Sequence, residues 1–211
     1  GSESGSGVRK FTAGGAGAAG SWASVYSGAI NNLMTNGTNI FVSPTSARIQ
    51  KSASGGAGTW SDSGIDAAAT DFDNSAIHGG YVWFTERNKH FLHYASQEDL
   101  SDLEGGGAGD TAVVKVGPPG RGVQALTSFS NALYAARTDG LWIVNNDEGF
   151  IARRVLNFAT EVHPDNFNSL VNWMGALWFP IRHRVYRWTG ATLLDVSPPR
   201  LTDTFPFTQY G

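Results

Sequence analysis

The 211-residue chain contains no cysteine. That excludes disulfide frameworks, thiolate metal sites and cysteine nucleophiles, and leaves the compartment open. Strong charge of either sign is also missing. Fifteen Lys and Arg stand against eighteen Asp and Glu, a net charge of -3. No concentrated basic face of the kind nucleic acids require is present, so nucleic-acid partners are not expected. No apolar run approaches the roughly 18–20 residues of a membrane-spanning helix. The opening 1–7 stretch, Gly-Ser-Glu-Ser-Gly-Ser-Gly, has no apolar signal-peptide core and reads as a linker or the start of a fragment. Helix signals are nearly absent. Only 96–103 would make a turn or two, with Ser96 as N-cap and Asp99 three residues on.

Recognisable catalytic constellations are lacking too. There is no Gly-x-Ser-x-Gly elbow and no acid pair at a spacing diagnostic of glycoside hydrolysis. The Gly-rich stretches 14–17 and 105–109 are followed by neither Lys-Ser/Thr nor a helix, so they read as connectors and not phosphate loops. His90 and His93, three apart, fall on opposite faces of a strand and cannot share a metal ion. The acids Glu98, Asp99, Asp102, Glu104 and Asp110, like the 71–74 stretch, match no EF-hand loop and read as solvated. The expectation is a non-enzyme with no cofactor and no metal site.

What the chain does have is 27 glycines, 12% aromatic residues and seven tryptophans. Glycine at that level without a collagen period marks tight turns, and aromatic residues favour pleated, half-buried surfaces. Four segments, 39–50, 81–94, 132–144 and 176–188, share one pattern of apolar strand, polar turn and second apolar strand. With Ile40, Val82, Leu133 and Leu177 equivalent, the spacings are 42, 51 and 44 residues. That period is the one of four-stranded propeller blades. A Gly- or Asn-containing turn precedes each hairpin (Asn36-Gly37, Gly79-Gly80, Asn131, Gly175). A further strand candidate follows at 58–60, 111–116, 150–155 and 192–196. Each unit thus reads as four strands, a to d, over 23–65, 66–116, 117–158 and 159–198. The 96–103 stretch is an insertion in the second.

The middle strands are apolar on both sides. Leu133 and Ala135 point one way and Tyr134 and Ala136 the other, and 141–144 does not alternate at all. Such strands need cover on both faces, which neighbouring sheets stacked in series supply. Trp83, Trp142 and Trp178 should therefore be shielded. Asp139-Gly140 is expected to form a tight hairpin turn with positive φ. Pro180 sits at a strand end, where a missing amide donor is tolerated. The expected fold class is all-β, a β-propeller or propeller-like array of about four four-stranded blades, incomplete or completed by other chains.

The phrases 131–142 (Asn-Ala-Leu-Tyr-Ala-Ala-Arg-Thr-Asp-Gly-Leu-Trp) and 173–180 followed by 185–190 resemble the repeat phrase of bacterial β-propellers. Propellers of this kind include phage virion and tail-associated proteins and secreted sugar-binding or sugar-cleaving proteins. The likeness is at repeat level over most of 23–198. A sialidase-type Asp-box would fall at the c–d turn. There Asp147 and Gly149 are in register, but Asn145 and Ala152 replace its Ser and Trp. The 58–60 stretch of the first unit keeps the Gly and Trp and lacks the Asp.

In a propeller the b–c turns share one face. Here they carry Glu86, Arg87 and Lys89, then Arg137 and Asp139, then Arg182 and His183. Arg87, Lys89, Arg137, Asp139, Arg182 and His183 form a candidate partner-binding rim, against the plain reading that turns are polar because they are exposed. Tyr186 and Trp188 share a strand face with Arg184 and are candidate stacking residues for single-stranded nucleic acid or a sugar. The plain alternative packs them between sheets with arginine stems alongside. Residues 1–22 read as an N-terminal segment with a closing strand at 8–12, 23–198 as the repeat domain, and 199–211 as an extension or the opening of a further unit. The functional expectation is a structural and interaction module, on a phage virion or otherwise extracellular, holding other protein chains or a host-surface glycan, and oligomeric within an assembly. The alternative is a secreted carbohydrate-binding or sialidase-like glycoside-cleaving propeller.

Overall fold

The structure, a computed structural model, describes residues 8–12, 21–44, 49–63, 72–86, 88–96, 113–145, 149–158, 170–181 and 184–197. Among these no helix occurs. A two-stranded ribbon, β1 (Val8–Thr12) with β2 (Ser21–Tyr26), precedes four antiparallel four-stranded sheets. The first holds β3 (Ile30–Thr35), β4 (Ile40–Pro44), β5 (Gln50–Ser52) and β6 (Ser61–Asp62). The second holds β7 (Phe72–His78), β8 (Tyr81–Glu86), β9 (Phe91–Ser96) and β10 (Val113–Lys115). The third holds β11 (Val123–Phe129), β12 (Ala132–Arg137), β13 (Gly140–Asn145) and β14 (Ile151–Asn157). The fourth holds β15 (Val171–Trp173), β16 (Ala176–Ile181), β17 (Arg184–Trp188) and β18 (Leu193–Asp195). Each sheet is a plain a-b-c-d meander. Among the described residues the chain is an all-β, β-propeller-like array of four four-stranded sheets.

Turn chemistry explains the repetition. Three a–b hairpins close with two-residue loops in which both residues have positive φ: Gly79-Gly80 (61° and 80°), Ser130-Asn131 (48° and 59°) and Met174-Gly175 (49° and 71°). This is the type I′ geometry whose twist matches that of the flanking strands. Strand a carries the same bulge in three sheets, between Ile30 and Asn32, Phe72 and Asn74, and Val123 and Ala125.

The sheets stack in chain order through alternating strand-b side chains. Val82 and Phe84 join Phe41 and Ile49 of the first sheet in one core. On the other side of the same strand, Trp83 joins Leu133 and Ala135 of the third sheet in a second core. Tyr134 and Ala136 then meet Leu177 and Phe179 of the fourth in a third core. Strand b of the second and third sheets, apolar on both sides, is thus covered on both sides, each fully buried Trp or Leu contributing about 1.5–3 kcal/mol. The a strands of successive sheets lie side by side. Among the described residues, side chains link them: Asn32 Nδ2 donates to Ser75 Oγ (2.8 Å), Asn74 Nδ2 to the Gln124 carbonyl (2.8 Å) and Asn172 Nδ2 to the Ser128 carbonyl (2.9 Å).

Several expectations need correction. Neither Asp139 nor Gly140 has positive φ. Arg137 pairs with Gly140, so the loop is Thr138-Asp139. Glycine is required there for close approach, because a Cβ at 140 would lie 2.3 Å from the Leu156 carbonyl oxygen. In the first sheet the last strand is Ser61–Asp62 and not 58–60, since 52–59 is tied into turns by Ser52, Ser54 and Thr59. The 8–12 strand pairs with β2, which straddles the boundary drawn at 22/23. The 97–103 and 199–211 stretches lie outside the described residues.

Candidate functional site

Among the described residues, the b–c turns of the second and third sheets do not present together the cations expected of a rim. Lys89 is exposed at the turn of the second sheet. Arg87, Arg182 and His183 lie outside the described residues. Arg137 is 0% exposed, which removes it from any contact surface. Its Nη1 donates to the Val116 carbonyl and, at 3.0 Å, to the Pro118 carbonyl, while Nε donates to Asp139 Oδ1 at 3.1 Å. Its guanidinium lies over the Trp142 ring at 5.5 Å, and that of Arg154 lies at 5.6 Å from the same ring. Asp139 is mostly buried and completes this cluster, with Arg154 Nη1 4.0 Å away.

The reason is the 116–122 connector. Val116 and Val123 donate their amides to the carbonyls of His90 and Lys89, which stitches the connector onto the turn of the second sheet. Arg137 reaches across from the third sheet and ties down the connector's carbonyls. A fixed guanidinium fork suits such multiple acceptors. Sequence position alone put Arg137 on a turn; it could not show that the preceding connector folds over it.

At the same end, His93 is buried against Phe72 and Phe91, with Nε2 3.4 Å from Glu86 Oε2. Burial lowers its pKa, opposed by the bond to Glu86.

The stacking pair is corrected as well. Trp188 is buried and Tyr186 half-buried, both within the core shared by the third and fourth sheets. Both pack into that core, as the packing alternative had it, and buried Trp188 presents no open ring face to a sugar.

A surface that sequence reasoning did not single out lies on the opposite side of that fourth sheet. The strand-b position after Ile40, Val82, Leu133 and Leu177 holds an aromatic residue in all four units: Phe41, Trp83, Tyr134 and Trp178. It points toward the following sheet. Phe41, Trp83 and Tyr134 are buried there. Trp178 has no following sheet among the described residues and is only half-buried. Around it stand Val171 and Trp173 of β15, 50% and 56% exposed, Met174, 76% exposed, and Leu194 of β18.

This face is built like the buried ones. Trp173 and Trp178 form a tilted ring pair (5.5 Å, 57°), and Phe129 and Tyr134, the equivalent residues of the third sheet, form another (5.7 Å, 54°). Trp178 Nε1 donates to the Trp173 carbonyl at 3.0 Å, as Trp83 Nε1 does to the His78 carbonyl at 3.1 Å. Arg187, paired opposite Trp178, sits 6.0 Å above its ring. The register equivalence of Trp173 and Trp178 with Phe129 and Tyr134 is the signal that could have found the surface.

No protein-family model matches the chain, and no curated protein matches it. Solved structures do. The chain is similar to catalytically inactive virginiamycin B lyase from Staphylococcus aureus (TM-score 0.57, 12% identity, 83% of this chain and 58% of that one). It is similar to the extracellular domain of a hybrid two-component system from B. thetaiotaomicron (TM-score 0.54, 13% identity, 79% of this chain, 22% of that one). It is also similar to PorZ, a bacterial surface component of the type-IX secretion system of Porphyromonas gingivalis (TM-score 0.51, 13% identity, 79% and 20%). At these identities the likeness is one of fold. The chain spans between about a fifth and three-fifths of the length of these neighbours. None of the three is a phage protein. No helix among the described residues is long and apolar enough to cross a membrane.

Proposed function

We propose that this chain is a non-catalytic structural and interaction module that engages another protein unit through the open face of its fourth sheet. One observation carries the reading: the aromatic position buried in the first three sheets is only half-buried in the fourth, which no further sheet follows among the described residues, with Val171, Trp173, Met174 and Leu194 exposed beside it. Contiguous exposed apolar patches of this kind mark interaction surfaces in soluble proteins. The proposed setting is an assembly on a virion or another extracellular surface. Two of the similar structures are an extracellular domain and a bacterial surface component, which supports the coarser, extracellular half of that setting.

The test is the state of the protein in the cells or particles that make it. Wild-type protein should run in an assembly larger than the chain. Trp173→Glu combined with Leu194→Lys should release it as a free chain with unchanged circular dichroism. Retention of the double variant in the assembly would defeat the reading. The glycan alternative has one observation in its favour, the exposed Trp173 beside the Arg187–Trp178 pair. It requires that soluble oligosaccharides quench or shift Trp173 emission in the isolated chain.

A further inference from the structure

Resting on that reading, we infer that the partner at the open face is another antiparallel β-sheet, docked as one blade docks on the next, and not a helix, a glycan or a second copy of this chain. The interfaces the chain already makes set the pattern. At each of them a forward-pointing strand-b aromatic shares a core with two alternate apolar residues on strand b of the next sheet. Phe41 shares a core with Val82 and Phe84, Trp83 with Leu133 and Ala135, and Tyr134 with Leu177 and Phe179. Trp178 repeats the aromatic, the tilted ring pair and the indole bond to the end of strand a. All three are in place before any partner arrives.

The cation on this face does not argue against burial. Opposite Phe41, at the position of Arg187, the first sheet carries Lys51. Phe41 is nonetheless buried by the second sheet, and the Lys51 ammonium escapes sideways to the Ser63 carbonyl at 3.3 Å. A long cationic stem beside a buried aromatic is thus already compatible with a docked sheet in this molecule.

A two-fold pairing of fourth-sheet faces centred on β16 and β17 would set Arg187 near its own equivalent. Area points the same way. Strands of three, six, five and three residues present about 300 Å² of projected face at the usual rise and strand spacing. A stable association of free partners needs about 800 Å² on each side. A sheet held in place by further contacts or by a tether can use a face this small, as each sheet in this chain does.

The third unit supplies a probe, because its strand-b residues Leu133 and Ala135 already accept a tryptophan at this position, Trp83. A chain extended after Ser197 by a second copy of residues 117–158 should bury Trp173 and Trp178. Its midpoint of thermal unfolding should rise by about 5 °C over the unextended chain in a single transition. Acrylamide quenching of Trp173, followed as the difference between each protein and its Trp173→Phe variant, should fall at least twofold. Trp178→Glu or Leu194→Lys in the host sheet should abolish the gain. A separate melting transition for the added unit, with Trp173 still quenched, would overturn the inference. So would an unextended chain that is already a dimer with Trp173 shielded. If the added sheet fails to dock while native assembly still depends on Trp173, the sheet proposal falls alone and the interaction reading stands.

Discussion

Replacing Arg137 by alanine separates a surface role from an architectural one. On a rim, the change would weaken a partner contact and leave the fold alone. In the observed position it removes donors to two main-chain carbonyls and a carboxylate, all within a site from which the side chain has no exposure. Removing one partner of a buried charged pair costs about 3–5 kcal/mol, mostly because the other groups are left without partners. Asp139 keeps Arg154 at 4.0 Å, which places the expected loss in the lower half of that range, about 3–4 kcal/mol. For a chain of this length each kcal/mol corresponds to roughly 2–4 °C, so the thermal midpoint should fall by about 10 °C. Urea unfolding followed by tryptophan fluorescence measures the change directly, with the slope against urea unchanged if the unfolded state is unaltered. Arg137→Met keeps the stem over Trp142 and still strands the Val116 and Pro118 carbonyls, so it should recover only a minority of the loss. Lys89→Ala, at an exposed turn, should stay within about 0.5 kcal/mol of wild type. A loss below about 1 kcal/mol for Arg137→Ala would refute the buried clamp.

Two further outcomes follow from the same end of the sheets. His93, with its pKa lowered chiefly by burial, resists a proton that the unfolded chain accepts. Stability should therefore be complete above the ordinary histidine pKa near 6.5 and decline as pH falls below it; unfolding free energies at pH 5 and pH 7.5 check this, and a slope undiminished in His93→Gln would count against it. Gly140→Ala should cost about 2–3 kcal/mol, since its Cβ would press on the Leu156 carbonyl from 2.3 Å and on Arg154 Cδ from 3.0 Å; a near-neutral result by chemical denaturation would show that β13 and β14 can part without penalty.

Repeat spacing and two-sided apolar strands were enough to place all four sheets, because both report local pattern and nearest-neighbour cover. The Gly79-Gly80, Asn131 and Gly175 turns were legible for the same reason, since they need left-handed backbone whatever surrounds them. Sites depend on what lies across the chain, and there the sequence was a weaker guide. Arg137 looked exposed because the 116–122 connector that covers it is separated from it along the chain. Asp139-Gly140 looked like a positive-φ turn because close approach to β14 demands glycine just as strongly. Tyr186 and Trp188 looked like a stacking platform until register assigned them to the inward side and Trp178 and Arg187 to the outward one. Counting two residues along a strand distinguishes these faces only once the neighbour on each side is known.

The a-b-c-d meander has a consequence for synthesis on the ribosome. Every main-chain ladder of the four sheets closes within its own unit, 30–62, 72–115, 123–157 or 171–195, so each sheet can form as soon as its last strand emerges, without waiting for distant chain. Its leading side, however, stays wet until the next sheet is translated. A nascent chain of this kind therefore always carries one sticky end, which moves from Phe41 to Trp83 to Tyr134 to Trp178 as elongation proceeds. Pausing between units would prolong each exposure, and a chaperone that binds aromatic-rich strands would meet the same chemistry four times in one passage.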